Sequence, residues 1–283
     1  MHPNGYIGRK MHISGLQQEP ALIIAAFGSS KKSQPALDLF RRQLKVRFPD
    51  REIFWGYTSE IIRKKLGLPG VHETLAQVES QGFRKAVVQP LHIFPGSEYR
   101  HLAETCEYFP GLRVFLGETL LHRWKYVNDI LAVVEQDFFS ADRGCNLLAL
   151  HGTSLTADPV NSGYLGLERL VLDRYPNVFA ASVEGVPDFR SVFARLTREN
   201  IMSQYKRVRI IPMMYLTGFH VENDLMGDQD SWRTMLEEHG LEVECPERSH
   251  GNEKCFKGLG FYPEVAQTFI QRLERGLELA DHF

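Results

Sequence analysis

The sequence predicts an α/β protein of two similar domains, each a parallel sheet covered by helices on both faces. Three observations carry the prediction. Short apolar runs alternate with segments of helical period along the chain. The pattern restarts near residue 146. Glycines, prolines and acidic residues then recur at matched spacings in the two halves, as internal duplication would produce.

Taken in order, Ala21–Phe27 (ALIIAAF) is an apolar run of buried-strand character, closed by Gly28, Ser29 and Ser30. Ala36–Phe48 has helical period and ends before Pro49. Glu52–Tyr57 reads as a strand, His72–Gln81 as a helix stopped by Gly82, and Arg84–Ile93 as a strand. Ser97–Phe109 reads as a helix capped by Ser97, Arg113–Leu116 as a short strand, and His122–Phe139 as a long amphipathic helix. After the restart, Asn146–Leu150, Val178–Val183, Arg207–Met214 and Leu241–Cys245 read as strands. Val160–Tyr175, Phe189–Glu199, Ser231–His239 and Pro263–Leu279 read as helices. Alternation of this kind argues for parallel sheets buried on both faces. No low-complexity linker separates the halves, so the helix over 122–139 is the expected bridge, with domains at 1–125 and 126–283.

The repeat can be laid out residue by residue. Phe27-Gly28-Ser29-Ser30 lies over His151-Gly152-Thr153-Ser154, and Arg47-Phe48-Pro49 over Arg174-Tyr175-Pro176. Thr58-Ser59-Glu60 lies over Ser182-Val183-Glu184, with 32 residues from Gly28 to Glu60 and 32 from Gly152 to Glu184. The segment from Gln89 to Glu98 lies over that from Ile211 to His220, with 70 residues from Gly28 to Glu98 and 68 from Gly152 to His220. Any two α/β units share strand–glycine–helix spacing, but four segments matching in order favour duplication.

Composition narrows the function classes. The chain has 283 residues, 43% hydrophobic and 24% charged, with a formal net charge of −2. That balance gives no support to a general nucleic-acid binder. The longest apolar run, Ala21–Phe27, falls far short of the roughly 20 residues of a membrane span. Met1–Pro20 has no apolar stretch of signal-peptide length, so a cytoplasmic protein is expected, with Met11 available as an internal start. Cys106, Cys145, Cys245 and Cys255 lie far apart without a CxxC, which favours packed thiols over bridges or a zinc knot. Neither half carries a Walker loop or a GxGxxG after its first strand.

Open parallel sheets bind ligands beyond the carboxyl ends of their strands. The residues there are Phe27, Glu60 and Glu98 in the first half, and His151, Glu184 and His220 in the second. Facing each other, two such half-sites would form a cleft of imidazoles and carboxylates. That donor set suits a divalent transition metal, and a histidine also serves as a base near neutral pH.

The segments LALHGTS (148–154), SVEGVP (182–187), VVQPLHIFPGSEY (87–99) and GFHVENDLMGDQDSW (218–232) resemble those of the anaerobic cobalt chelatases of cobalamin biosynthesis, in the class II chelatase superfamily. The resemblance runs from about Ala21 to Gly260. It implies two Rossmann-like domains around a tetrapyrrole site. It also implies insertion of cobalt(II), the substrate metal, into sirohydrochlorin with release of two protons and no organic cofactor. Carried over by motif, His151, His220, Glu98 and Glu184 are the metal-site residues, with His151, His220 and Glu98 catalytic. Leu155 stands where the family pattern usually has a histidine, and GDQDSW is one residue shorter than the usual run.

Plainer readings stand beside these. His92 reads as a hydrogen-bonded core histidine, His101 as solvent-facing, and Glu60 as a structural carboxylate at a helix N-terminus. Asp224, Asp228 and Asp230 suit either proton or metal relay or a solvated helix start, and Trp124 and Trp232 suit the core. Arg63, Lys64 and Arg100 are available for substrate carboxylates. The alternatives are an iron or nickel chelatase, a non-enzymatic tetrapyrrole or metal carrier, and a two-lobed solute-binding protein, which the lack of an export signal disfavours. A homo-oligomer is left open.

Overall fold

A computed structural model describes residues 15–28, 33–250 and 253–283. The expectations on Met11, Ser29 and Ser30 fall outside them. The first sheet comprises β1 (Ala21–Ala26), β2 (Ile53–Tyr57), β3 (Lys85–Pro90) and β4 (Arg113–Leu116), all parallel, in the order β2-β1-β3-β4. The second comprises β5 (Cys145–Gly152), β6 (Val178–Glu184), β7 (Arg207–Pro212) and β8 (Glu242–Glu244), all parallel, in the order β6-β5-β7-β8. The two orders are the same. All six residues of β1 are buried, as expected of a central strand covered on both faces.

Each unit packs its helices by the 3.6-residue period. Helix α1 (Gln34–Arg47) is followed, in the first unit, by the seven-residue α2 (Glu60–Leu66) and by α3 (Val71–Ser80). Helix α3 buries Val71, Thr74, Leu75 and Val78, and its apolar members pack with Ile23, Phe54 and Val88. Helix α4 (Ser97–Glu107) adds Leu102 and Cys106 to the same core. In the second unit, α5 (Trp124–Val134) and α6 (Asn161–Arg174) are followed by α7 (Phe189–Arg198), capped by Asp188 accepting from the Ser191 amide at 2.8 Å. Helix α7 buries Phe189, Val192, Phe193 and Leu196. Phe189 stacks on Trp232 at a centroid distance of 4.3 Å. Trp232 opens α8 (Trp232–Glu238), which Ser231 caps. A hairpin of β9 (Glu247–His250) and β10 (Glu253–Phe256) precedes the closing helix α9 (Pro263–His282). All four cysteines are buried free thiols, and burial raises Cys106 and Cys145 to about 12. Among the described residues no helix is long and apolar enough to cross a membrane.

The units are not contiguous halves divided at 125/126. Of the described residues, those up to Gly28 and those within Gln43–Leu120 and Gln267–Phe283 form one unit; those within Ser29–Arg42 and Leu121–Ala266 form the other. The reason lies in the packing of α9. Its Gly276 leaves so little room that an added Cβ would meet Val87 of β3 at 2.4 Å. Lys85 Nζ donates to the Ala280 carbonyl at 2.7 Å, and Arg272 donates to the carbonyls of Glu118 and Leu120 at 3.2 and 2.9 Å.

Other expectations are corrected. Gly96, not Ser97, is the residue before α4. The helix expected over 122–139 stops at Val134, followed by a 3₁₀ turn over Glu135–Asp137. Asn146 pulls the chain out of helical register: it accepts from the Phe139 amide at 2.8 Å and donates to the Phe139 carbonyl at 3.0 Å. Trp124 is exposed rather than core, its ring laid against Gly166 of α6, where a Cβ would meet it at 2.5 Å.

The ladders set the repeat in register. Ala25 pairs with Pro90 and Ala149 with Pro212, which equates Gly28 with Gly152, Phe27 with His151, and Glu98 with His220. Gly28 and Gly152 both have positive φ, +116° and +78°. On the other side, Ala26 pairs with Tyr57 and Leu150 with Ser182. Tyr57 then bridges to Gly70, and Ser182 to Asp188. Residues 58–68 of the first unit therefore stand in place of 183–186 of the second, and α2 lies in the longer segment. Glu60, on α2, is not the counterpart of Glu184; the ladder puts Ser59 there.

Gly152 is a test of this turn. A Cβ there would lie 1.7 Å from the Glu184 carbonyl oxygen, at a φ that side chains rarely adopt. Gly152→Ala is expected to destabilise the protein by about 2–4 kcal/mol, visible as a lowered midpoint in denaturant. An unchanged midpoint would contradict the turn geometry.

Candidate functional site

Two imidazoles meet at the carboxyl edge of the second sheet. His151 is the penultimate residue of β5 and is exposed. His220 immediately precedes a π-helical turn over Val221–Leu225, which buries Val221 and Leu225 and so holds the histidine at the surface. The two rings lie 4.8 Å apart between centroids, at 84°. Each has its Nδ1 against an oxygen. His151 Nδ1 is 3.1 Å from the Gly152 carbonyl, and His220 Nδ1 is 2.7 Å from Asp224 Oδ2. Both oxygens are acceptors, so each Nδ1 carries the proton and each Nε2 presents a lone pair. Donation of one ring nitrogen to a carbonyl or carboxylate is the usual way a ligating histidine is oriented and made more basic.

The spacing can be compared with co-ligation. A metal–nitrogen bond of about 2.1 Å puts each ring centroid about 3.2 Å from the ion, and two rings at about 90–110° then lie about 4.6–5.3 Å apart. The observed 4.8 Å falls within that range. The pair thus suits two neighbouring positions on one divalent ion.

The remaining candidates are placed as follows. Glu184 ends β6, set in register against Gly152 rather than His151. Within either unit, among the described residues, no group of three or more His, Cys, Asp or Glu side chains converges closely enough to hold a metal ion. Glu98 lies in the first turn of α4, in the first unit, with its side chain 52% exposed. Partial burial raises its carboxyl pKa, and His101 acts in the opposite direction. Exposed apolar side chains follow three of the four strands of the second sheet: Leu155 after β5, Val186 after β6 and Phe219 after β7. Asp228 pairs with Arg233 at 2.5 Å, and Asp230 occupies a left-handed turn before the Ser231 cap. Asp224 is the member whose role the sequence left undivided. Its i, i+4 spacing from His220 matters only once 219–225 is helical.

The His92 side chain is only 8% exposed, but it is not the well-bonded core histidine expected. Its Nε2 is 3.5 Å from Thr58 Oγ1 and 3.7 Å from Glu98 Oε2, and its Nδ1 has no partner among the described residues. Burial lowers its pKa to about 4. The unfolded chain takes up this proton near pH 6.5, whereas the folded chain does so only near 4. Folding stability is therefore fully present above about pH 6.5 and falls as pH drops through that window. Between pH 7.5 and 4.5 the expected loss from this group is about 2–3 kcal/mol. Denaturant unfolding of His92→Gln at both pH values should show that much less acid sensitivity; equal sensitivity would contradict it.

Comparison with known proteins follows the same residues. The model of the cobalt chelatase (CbiK) family matches residues 20–278. The chain belongs to this family. A cobalt chelatase relative from Salmonella typhimurium, sirohydrochlorin cobaltochelatase, is 26% identical over 273 residues, covering 92% of this chain and 97% of that protein. Sirohydrochlorin cobaltochelatase CbiKC of Nitratidesulfovibrio vulgaris is 26% identical over 231 residues, covering 78% and 80%. Among solved structures, SirB from Bacillus subtilis with Fe3+ superposes with a TM-score of 0.61 at 16% identity, over 94% of this chain and 98% of that one. CbiX, described as the terminal enzyme of siroheme biosynthesis in denitrifying bacteria, gives 0.52 at 14% identity, over 91% and 99%. At these identities the two structures speak for the fold, which is that of the expected chelatase-type α/β domains.

Proposed function

We infer that this cobalt chelatase inserts Co2+ into sirohydrochlorin, and that His151 and His220 hold the ion while it is delivered. The observation that carries the second half is the close approach of the two rings, each with its Nδ1 against an oxygen so that Nε2 is left for a metal. The family match and the names of two relatives support the first half. Four buried, unbridged thiols fit a cytoplasmic setting.

The reaction sets three demands. The ion must be held by few enough ligands that it can leave, because a closed four-ligand shell would trap it. Two imidazoles meet that demand, and Glu184, ending β6 of the same unit, is the proposed exchangeable carboxylate; Glu98 of the first unit enters the proposal through its motif alone. Two pyrrole N–H protons must depart as the metal enters. A carboxylate whose pKa is raised by partial burial, as at Glu98, is a better proton acceptor than a fully solvated one. Finally, a flat macrocycle needs an apolar surface near the ion. Exposed Phe219, 70% accessible with its ring 6.0 Å from that of His220, offers one. Binding a bent macrocycle there would favour the geometry in which the ring nitrogens face the metal.

The deciding experiment follows the absorbance of sirohydrochlorin with the purified protein and Co2+, Fe2+ or Ni2+ in turn. Protein-dependent cobalt insertion is expected. Rates equal to those without protein for every metal would sink the reading. Asp224→Ala tests the orientation of His220. It is expected to weaken Co2+ binding by about 10- to 100-fold, measured by titration calorimetry, and unchanged affinity would remove Asp224 from the site.

A further inference from the structure

Helix α2 is the part of the first unit that the repeat does not explain. It replaces the short loop 183–186 of the second unit and stands where β2 ends, at the carboxyl edge where an open parallel sheet takes its ligand. It is held in place firmly. The Ser59 amide donates to the Phe27 carbonyl at 3.0 Å, and Ser59 Oγ caps the helix. Ile62 rests on Gly28, where a Cβ would meet it at 2.9 Å. Arg63 lies along Gly70 and reaches Glu73 at 3.4 Å. Gly67 ends the helix in the left-handed conformation, φ +64°.

With Ile62 and Arg63 used as anchors, the opposite face is left to solvent. It carries Ile61, Lys64 and Lys65, at i, i+3 and i+4. Ile61 is 80% exposed and Lys64 76% exposed, and no residue of α2 is buried. Burial therefore does not account for an isoleucine there. Nor does the exposed Lys64–Glu60 pair at 2.6 Å, since such pairs contribute little and exchange readily for another carboxylate.

We propose that α2 reads the edge of the substrate: Lys64 and Lys65 bind peripheral carboxylates of the tetrapyrrole while Ile61 lies against its apolar skirt. This rests on the sirohydrochlorin reading, and charge complementarity selects the occupant. Sirohydrochlorin carries eight carboxylates around an apolar ring, and Ile61, Lys64 and Lys65 present the matching combination on one helical face. The lysines act in binding and specificity; they take no part in proton or metal transfer.

The test is equilibrium binding of metal-free sirohydrochlorin to the full chain, read by absorbance at several NaCl concentrations. K64Q/K65Q is expected to weaken binding about 5- to 30-fold at low salt and to flatten its salt dependence. K64R/K65R should stay near wild type. Titration with Co2+ alone should be the same in all three proteins, which also reports an intact fold. Equal sirohydrochlorin affinity in wild type and K64Q/K65Q would overturn the proposal, as would a loss in K64R/K65R as large as in the glutamine variant. If the wild-type protein binds Co2+ but not sirohydrochlorin, the substrate reading itself fails, and this proposal with it.

Discussion

His220→Ala is expected to lower the rate of cobalt insertion by about 10²- to 10⁴-fold, the usual loss when a positioned base or ligand is removed, while the fold stays intact. The ring is one-third exposed and stands just before a turn that is anchored by buried Val221 and Leu225, so its removal leaves the packing in place. What it removes is one of two Nε2 donors, together with the partner that Asp224 is aligned to serve. His151→Ala should behave alike, because one imidazole cannot fix an ion as two at 4.8 Å can. Circular dichroism and the melting midpoint should match wild type in both variants. Turnover within a few-fold of wild type for His220→Ala would exclude it from the site.

The fold was legible because its signals are local and repeated. Ala21–Ala26 announces a buried strand by composition alone, and the recurrence of Gly28 with Gly152 and Pro90 with Pro212 marks the same turns in two copies. The features that escaped have physical reasons. Helix α2 buries none of its residues, so EIIRKKL has no core-facing stripe for periodicity to detect. Equal spacing from glycine to glutamate equated Glu60 with Glu184 wrongly because the path from Gly28 to Tyr57, 29 residues, is one shorter than that from Gly152 to its counterpart Ser182, 30 residues. Helix α5 stops short of Phe139, whose backbone amide and carbonyl are taken by the side chain of Asn146, seven residues further along the chain.

The site was legible in part for a similar reason. His151 sits at a strand end and His220 eight residues past another, positions the repeat located, and the ladder equates them with Phe27 and Glu98. The duplicated scaffold thus carries an imidazole pair in one copy and a phenyl ring and carboxylate in the other. The hydrogen bond from His220 to Asp224 was hidden by the backbone conformation that creates it. A π-helical turn is not encoded in an apolar period, and without it the i, i+4 relation has no spatial meaning.

Cobalt affinity is expected to fall about 100-fold between pH 7.5 and pH 5.5. The argument is one of proton competition. An imidazole must be unprotonated to ligate, and histidines as a class exchange their proton near neutral pH, so acidification sets protons against the metal at each ligating ring, an effect of roughly tenfold per ring over this interval. A site made of carboxylates alone would weaken only nearer pH 4. Two rings at co-ligating distance predict the product of two such factors. Replacing either histidine should both weaken binding at pH 7.5 and reduce the remaining pH dependence to about tenfold. The measurement is a Co2+ titration of the wild type, His151→Ala and His220→Ala at both pH values, in a buffer that does not bind the metal. A wild-type affinity equal at the two pH values would show that carboxylates hold the ion. A tenfold dependence in the wild type, abolished by one substitution and untouched by the other, would leave a single histidine ligand and end the case for the pair.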